Sequence, residues 1–205
     1  IKNESGRSPS LKNEIKLMVL KYYDANSTDS ENVDNTVKAI NYAVKMGARV
    51  INYSGGGSLP NKYERMAIEK ANRSKIIFVA AAGNNKSNTD INNYFPADYN
   101  IENIISVAAT DDGGNLVNFS NYGPNTVDIG APGKQILSTL PNNEYGFMSG
   151  TSQSTAFVTG IVAQRLAHYT SPQDPEKIKS EVLKMARYNK TLVGKIKSQL
   201  ALTSS

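Results

Sequence analysis

The sequence predicts an α/β protein, a mostly parallel sheet with helices on both faces. Three observations carry that expectation. Continuous apolar runs of strand length, such as Ile76–Ala82, lack the in-and-out alternation of a sheet that is wet on one side. Between them lie stretches whose apolar residues recur every three or four positions, the helical period. Along the chain the two kinds alternate, strand–helix–strand–helix–strand, the order from which parallel sheets are built.

Taken in order, Ile15–Tyr23 is β-branched and apolar and reads as a strand. The next stretch places Val33, Val37, Ile40 and Val44 on one helical stripe, with Ser30 or Asn32 as its cap and Gly47 at its end. Val50–Ser54 is a short buried strand running into Gly55-Gly56-Gly57, and Tyr63–Asn72 is a helix with Tyr63, Met66, Ala67 and Ala71 on one side. Ile76–Ala82 is a strand that ends at Gly83-Asn84, followed by a polar loop through Asn93. Ile104–Thr110 and Val127–Ile129 are further strands, separated by turn-rich DDGG and SNYGPN. After Ser152 the chain is apolar on nearly every side of a helix (Ala156, Phe157, Val158, Ile161, Val162, Leu166), so this helix is expected to be buried. Pro175–Arg187 reads as a surface helix through Ile178, Val182 and Met185.

With 205 residues, 39% hydrophobic and 20% charged, the chain has the size and composition of one globular domain, residues 1–205. No apolar run is long enough to span a bilayer, and IKNESGRSPS lacks the pattern of a leader peptide. The absence of Cys excludes disulfides and thiolate chemistry. One histidine, His168, leaves one candidate imidazole and no His-rich metal site. The net charge of +5 is uneven: residues 1–75 hold 13 basic and 8 acidic side chains, 76–170 hold 3 and 7, and 171–205 hold 7 and 3. Because the basic residues are interleaved with acids at helical spacing, they read as solvated faces, and no nucleic-acid partner is expected.

The candidate chemistry lies at the ends of these elements. Ser152 sits in the first turn of the buried helix, where unpaired amides and the helix dipole favour developing negative charge. A hydroxyl there can attack a carbonyl while its own N–H holds the oxyanion; alternatively Thr151 or Ser152 simply caps the helix. Asn84 follows Ala80-Ala81-Ala82-Gly83 at the C-terminal end of a strand, the edge where α/β sheets bind ligands. Its amide is placed either to donate to an oxyanion or to close a turn. Ser54 with Gly55, Gly56 and Gly57 offers an open backbone edge for an extended peptide. The same glycines fail the spacing of a dinucleotide or P-loop phosphate site.

Together these segments resemble the subtilisin-like serine proteases. GTSQSTAFVTG (Gly150–Gly160) is similar to that family's nucleophile motif, VAAAGN (Val79–Asn84) to its oxyanion strand, and VINYSGGG (Val50–Gly57) to its substrate-binding strand. The resemblance covers nearly the whole chain. It implies a subtilisin-like fold, Ser152 as nucleophile and Asn84 as oxyanion donor. It further implies a polypeptide substrate between Ser54, Gly55 and Gly56 on one side and Ala81, Ala82 and Gly83 on the other. It suggests Phe95-Pro96 as the family's cis-proline bond. Secretion and a structural calcium follow from the resemblance only as expectations, with no calcium ligands to name and no other cofactor evident.

The family's Asp-Thr/Ser-Gly and His-Gly-Thr-His motifs are absent from the sequence. His168 does not replace them: it follows Ser152 by 16 residues, about 24 Å along one helix, whereas proton transfer needs roughly 3 Å. The resemblance therefore implies that the chain is the C-terminal portion of a catalytic domain, nearly inactive alone, whose Asp and His come from a preceding segment of the same protein. The competing expectation is a non-catalytic relative that binds peptides. Two positions depart from the family motif, Ala156 for its usual Pro and Gln153 for the Met after the serine. Glutamine forms no sulfoxide, so the complete enzyme should resist hydrogen peroxide better than its Gln153→Met variant. Equal inactivation rates of the two proteins in peroxide would refute this.

Overall fold

The computed structural model describes residues 14–203; the N-terminal decapeptide read above for leader signals lies outside them. Helix α1 (Asp29–Lys45) opens on a capping box in which Thr28 Oγ1 accepts from the Glu31 amide and Glu31 Oε2 accepts from the Thr28 amide. The cap is thus Thr28, not Ser30 or Asn32. The buried face holds Asn32, Thr36, Ile40 and Ala43, turned from the expected Val33–Val37–Ile40–Val44 stripe. Two polar residues can face inward because both are satisfied: Asn32 bonds the backbone of Asp24 in both directions, and Thr36 bonds Asn32 O and reaches Tyr53 Oη.

Strand β1 (Val50–Tyr53) leads to α2 (Lys62–Arg73), capped by Asn61. Its inner face is Glu64, Ala67, Ile68 and Ala71, while Tyr63 and Met66 stay exposed. Glu64 displaces them because the Tyr99 hydroxyl meets its carboxyl at 2.7 Å, and burial raises the pKa of that carboxyl. Strands β2 (Ile77–Ala81), β3 (Ile104–Thr110) and β4 (Ile129–Pro132) follow. The last begins at Ile129 and not at Val127, because the Val127 amide is taken by the carbonyl of Gly123 in the preceding turn. A hairpin of β5 (Ile136–Leu140) and β6 (Glu144–Met148), which periodicity does not announce, stands on its own. Helix α3 (Thr151–Ala167), helix α4 (Pro175–Leu183) and the short strands β7 (Arg187–Tyr188) and β8 (Leu200–Ala201) complete the order.

The main sheet runs β1-β2-β3-β4-β8-β7, parallel except for β7. Its side chains divide by alternation. Ile77, Val79, Ile105, Val107 and Ile129 pack against Val158, Val162 and Leu166 of α3 and Ile178 and Val182 of α4. Phe78, Ala80 and Ile104 face the other way, towards Ile40 of α1 and Ala67 and Ile68 of α2. Helices therefore cover both faces. Helix α3 is central but not buried all round: Val158, Val162 and Leu166 are enclosed, while Ala156 and Gly160 are exposed.

The expected strand Ile15–Tyr23 does not join the sheet. A strand needs a neighbour to satisfy its backbone, and none of the described strands pairs with this segment or with the outer edge of β1. Leu17 and Val19 are consequently 91% and 90% exposed. Tyr22 is anchored, its ring 5.3 Å from that of Tyr53.

The connection from β2 to β3 is tied down by its own backbone. The Phe95–Pro96 bond is cis, as the resemblance suggests. Phe95 and Gly57 exchange two backbone bonds, of 2.7 and 2.9 Å. Asp98 Oδ2 accepts from the Tyr94 amide at 2.8 Å, while Oδ1 is buried with no hydrogen-bond partner. Burial, abetted by the nearby Asp90 charge, pushes the Asp98 carboxyl from 3.8 up to about 6 despite those bonds.

Two predictions follow from this framework. Lys179 of α4 bridges Asp128 at 2.7 Å and bonds the Ile104 carbonyl, and Asp128 Oδ2 also accepts from the Ser106 amide. Lys179→Met strands a carboxylate whose side chain is only 9% exposed, so it should cost about 3 kcal/mol in urea unfolding; Asp128→Asn, which removes the charge, should cost less. For Asp98, the folded protein holds the proton more tightly than the unfolded chain. Its contribution to stability is complete below about pH 4 and is lost as the pH rises to about 6. Replacing Asp98 by Asn should flatten that segment of the stability–pH curve.

Candidate active site

The C-terminal ends of β1 and β2 and the N-terminus of α3 meet at one place. Tyr53 stands beside Ala80 in the ladder, so the segments that leave the two strands, Ser54–Gly56 and Ala81–Gly83, run out side by side. Helix α3 packs across β1, β2, β3 and β4, and its first turn points at the gap between these segments. Ser152, Asn84 and the segments Ser54–Gly56 and Ala81–Gly83 are therefore drawn into one neighbourhood, and His168 is not.

Ser152 lies in the first turn of α3, partly accessible. Its Oγ donates to the Ser54 carbonyl at 3.0 Å, and Ser54 Oγ returns a bond of 3.0 Å to the Ser152 carbonyl. Ser54 Oγ also accepts from Asn52, which in turn is bonded by Thr159 of α3. The hydroxyl does not cap the helix, and neither does that of Thr151. Gly150 occupies the cap position and makes no side-chain bond.

The cap comes from across the site. Asn84 Oδ1 accepts from the Thr151 amide at 2.9 Å and from the Thr151 hydroxyl at 3.1 Å. A backbone N–H demands an acceptor, so the oxygen of the amide must face Thr151 and its Nδ2 is left to point elsewhere. That nitrogen faces Gly150: a Cβ built on Gly150 would lie 3.6 Å from Asn84 Nδ2 and 3.7 Å from the Ser152 amide. Two donors thus border the Gly150 position, with Gln153 Oε1 2.9 Å from the same Cβ, at the positive end of a 17-residue helix. An anionic oxygen held there would replace the acceptor that first-turn amides lack.

The strand end behind Asn84 is held by a residue the sequence reading passed over as part of a turn. Buried Asn121 donates to the Ala82 carbonyl at 2.8 Å and accepts from the amides of Asn85 and Ser87, and its own amide reaches the Gly83 carbonyl. Thr151 Oγ1 accepts from the Gly83 amide at 3.2 Å. Gly83 itself sits at φ +101° with Asn121 against it, a conformation and a closeness that exclude any side chain. An asparagine in SNYGPN gives no sign in one dimension that it serves a strand end 37 to 39 positions earlier.

Tyr94 is the other residue the sequence did not single out. Its ring stands between the two strand ends. A Cβ on Gly56 would lie 2.5 Å from Tyr94 Cε1, and one on Gly83 would lie 3.1 Å from Cδ2 and Cε2, on the opposite side of the ring. Burial raises the Tyr94 phenol pKa, and the Tyr22 hydroxyl adds to the shift.

His168, by contrast, is the C-cap of α3, exposed and at the far end from Ser152. Among the described residues no group of three or more His, Cys, Asp or Glu is placed to hold a metal ion. No helix among the described residues is long and apolar enough to cross a membrane.

Comparison with known proteins identifies the family. Residues 6–199 match the family described as the Subtilase family, Peptidase_S8. The chain is 39% identical over 148 residues to a thermophilic serine proteinase of Bacillus sp. (strain AK1), a match that covers 72% of this chain and 35% of that protein. It is 43% identical over 122 residues to thermitase of Thermoactinomyces vulgaris, covering 60% and 42%. Among solved structures, the prenylagaramide maturation protease PagA superposes with a TM-score of 0.67 at 32% identity, over 76% of this chain and 57% of that one. The chain thus spans about a third to two fifths of the length of these two relatives. With the family's site motifs assembled at one end of a parallel sheet, the chain belongs to the subtilase family of serine proteases.

Proposed function

We propose that this chain carries the nucleophile and the oxyanion site of a serine endopeptidase of the subtilisin type. The observation that carries the reading is the orientation of Asn84. With its oxygen tied to Thr151, its Nδ2 is turned to the Gly150 position, which the Ser152 amide also borders, 3.6 and 3.7 Å from a Cβ built there. A polypeptide laid along Ser54–Gly56 and Ala81–Gly83 would bring a carbonyl to that position. Ser152 Oγ attacks the carbonyl carbon and loses its proton to a base. The oxyanion that forms is held by Asn84 Nδ2 and the Ser152 N–H, donors already in place before the reaction. Collapse of the intermediate returns the proton to the departing amine and leaves an acyl-enzyme, which water then hydrolyses.

The base is not His168, and we assign the Asp and His of the triad to a further segment of the same protein. Two features support this. The outer edge of β1 is unpaired among the described residues, and residues 14–23 join no sheet, with Leu17 and Val19 exposed. Such an edge and such apolar side chains suit an additional strand of the same sheet. A second reading, a peptide-binding relative that does not cleave, draws on the Ser152 hydroxyl being engaged with the Ser54 carbonyl while no imidazole is near.

Turnover of a casein or peptide substrate by the complete protein decides between them. On the protease reading, Ser152→Ala abolishes cleavage, and Asn84→Ala lowers kcat by about 10²–10³, a magnitude taken from the corresponding amide of a subtilisin. Peptide affinity with no cleavage by the complete wild-type protein would establish the binding reading instead.

A further inference from the structure

We propose that Tyr94 sets the substrate class of this site: polypeptides with a small side chain, Gly, Ala or Ser, at the residue whose carbonyl is attacked. The proposal rests on the reading above, that an extended polypeptide lies between the two strand ends with its carbonyl at Ser152.

The carbonyl position is bracketed by both segments, because Ser152 Oγ is bonded to Ser54 at the end of β1 and Asn84 follows Gly83 at the end of β2. A side chain on the carbonyl-bearing residue therefore drops towards the space between Gly56 and Gly83. Two facing glycines without Cβ atoms would ordinarily leave that space open to a large side chain. Here the ring of Tyr94 fills it, touching the two glycine positions with opposite carbons. The slot is shallow because an aromatic ring of the protein already occupies its depth.

The ring is also rooted. The Tyr94 amide is held by Asp98 at 2.8 Å, and the adjoining Phe95 is paired with Gly57 through two backbone bonds. The base of the side chain cannot retreat unless those three bonds are broken. Behind it stand Tyr22, whose hydroxyl would lie 2.6 Å from a Cβ on Gly55, and Tyr53, in ring contact with Tyr22 and Phe78. A bulky substrate side chain thus meets a wall of packed aromatics. It must either displace Tyr94 or stay out of the slot, and differences of a few methylenes in such a pocket separate substrates by ten- to several-hundred-fold.

The test uses the complete protein and a peptide series that varies only this residue. Wild type should cleave after Ala, Gly or Ser with kcat/KM at least tenfold above Phe or Leu. Tyr94→Ala should raise cleavage after Phe and Leu by tenfold or more, while Tyr94→Phe keeps the preference for small residues. Equal cleavage after Ala and Phe by wild type, or an unchanged profile in Tyr94→Ala, would overturn the proposal. If Tyr94→Ala fails to fold, Tyr94→Leu takes its place, and the wild-type profile alone still decides against the proposal if it favours bulky residues. The same peptides titrated against the Ser152→Ala protein read the slot through Kd without turnover. A protein that never cleaves refutes the protease reading. In that case a Kd preference for small residues, lost in the Tyr94→Ala/Ser152→Ala double variant, upholds the slot, and the absence of any such preference refutes it.

Discussion

The bond from the Thr151 amide to Asn84 Oδ1 joins the two halves of the site, and much of the local structure exists to keep it in place. A helix start needs an acceptor for its first amides. In α3 that acceptor comes from a loop 67 residues away in sequence, because the cap position is a glycine without a side chain to offer. The consequence is that the helix terminus and the end of β2 are positioned by one another. Thr151 Oγ1 adds a second tie, accepting from Gly83 while donating to Asn84. With the oxygen of the amide engaged, its nitrogen is turned away from Thr151, towards the Gly150 position.

Such a joint requires a stiff mounting on both sides. On one side, α3 packs Val158, Val162 and Leu166 into the most enclosed part of the sheet, against Val79, Val107 and Ile129. On the other, Asn121 clamps residues 82–87 through four bonds to backbone groups. Donors held this way need no reorganisation when charge appears on a substrate oxygen, and this is the condition under which a neutral amide stabilises an oxyanion well. Asn121 touches no reacting atom. It acts by holding the strand end from which Asn84 projects.

What could be read in one dimension was the part of the fold set by local pattern. The strand cores around Ile77, Val79, Ile105 and Val107 and the helices through Ile40, Val158 and Ile178 follow from period and composition alone. The errors share a physical origin, namely polar groups that find partners only in three dimensions. The apolar stripes read from the sequence leave out Thr36 and Glu64, yet Tyr53 and Tyr99 meet them inside. Ile15–Tyr23 has strand composition, but a ladder needs a neighbour that composition cannot supply. In the site, Ser152, Asn84 and the glycines stand out through motif and strand ends. Asn121 and Tyr94 do not, since each acts on a segment distant in sequence, and the ties of Thr151 to Asn84 and Gly83 are hidden for the same reason.

The resting position of the serine fits a nucleophile that awaits its base. By donating to the Ser54 carbonyl, Ser152 Oγ spends its proton on the strand edge and keeps its lone pairs free of any donor. The Ser54 oxygen has two lone pairs and the serine uses one, so the N–H of an extended chain can pair with the same carbonyl while the hydroxyl remains where it is. Docking and attack are then separable. A peptide can settle against the β1 edge without moving Ser152, but bond formation requires the hydroxyl to exchange the carbonyl for a group able to take its proton. A backbone carbonyl accepts a hydrogen bond without accepting the proton itself. On the proposed reading, the energetic barrier to chemistry therefore lies at the hydroxyl proton, whereas the binding edge and the donors assigned to the oxyanion precede it.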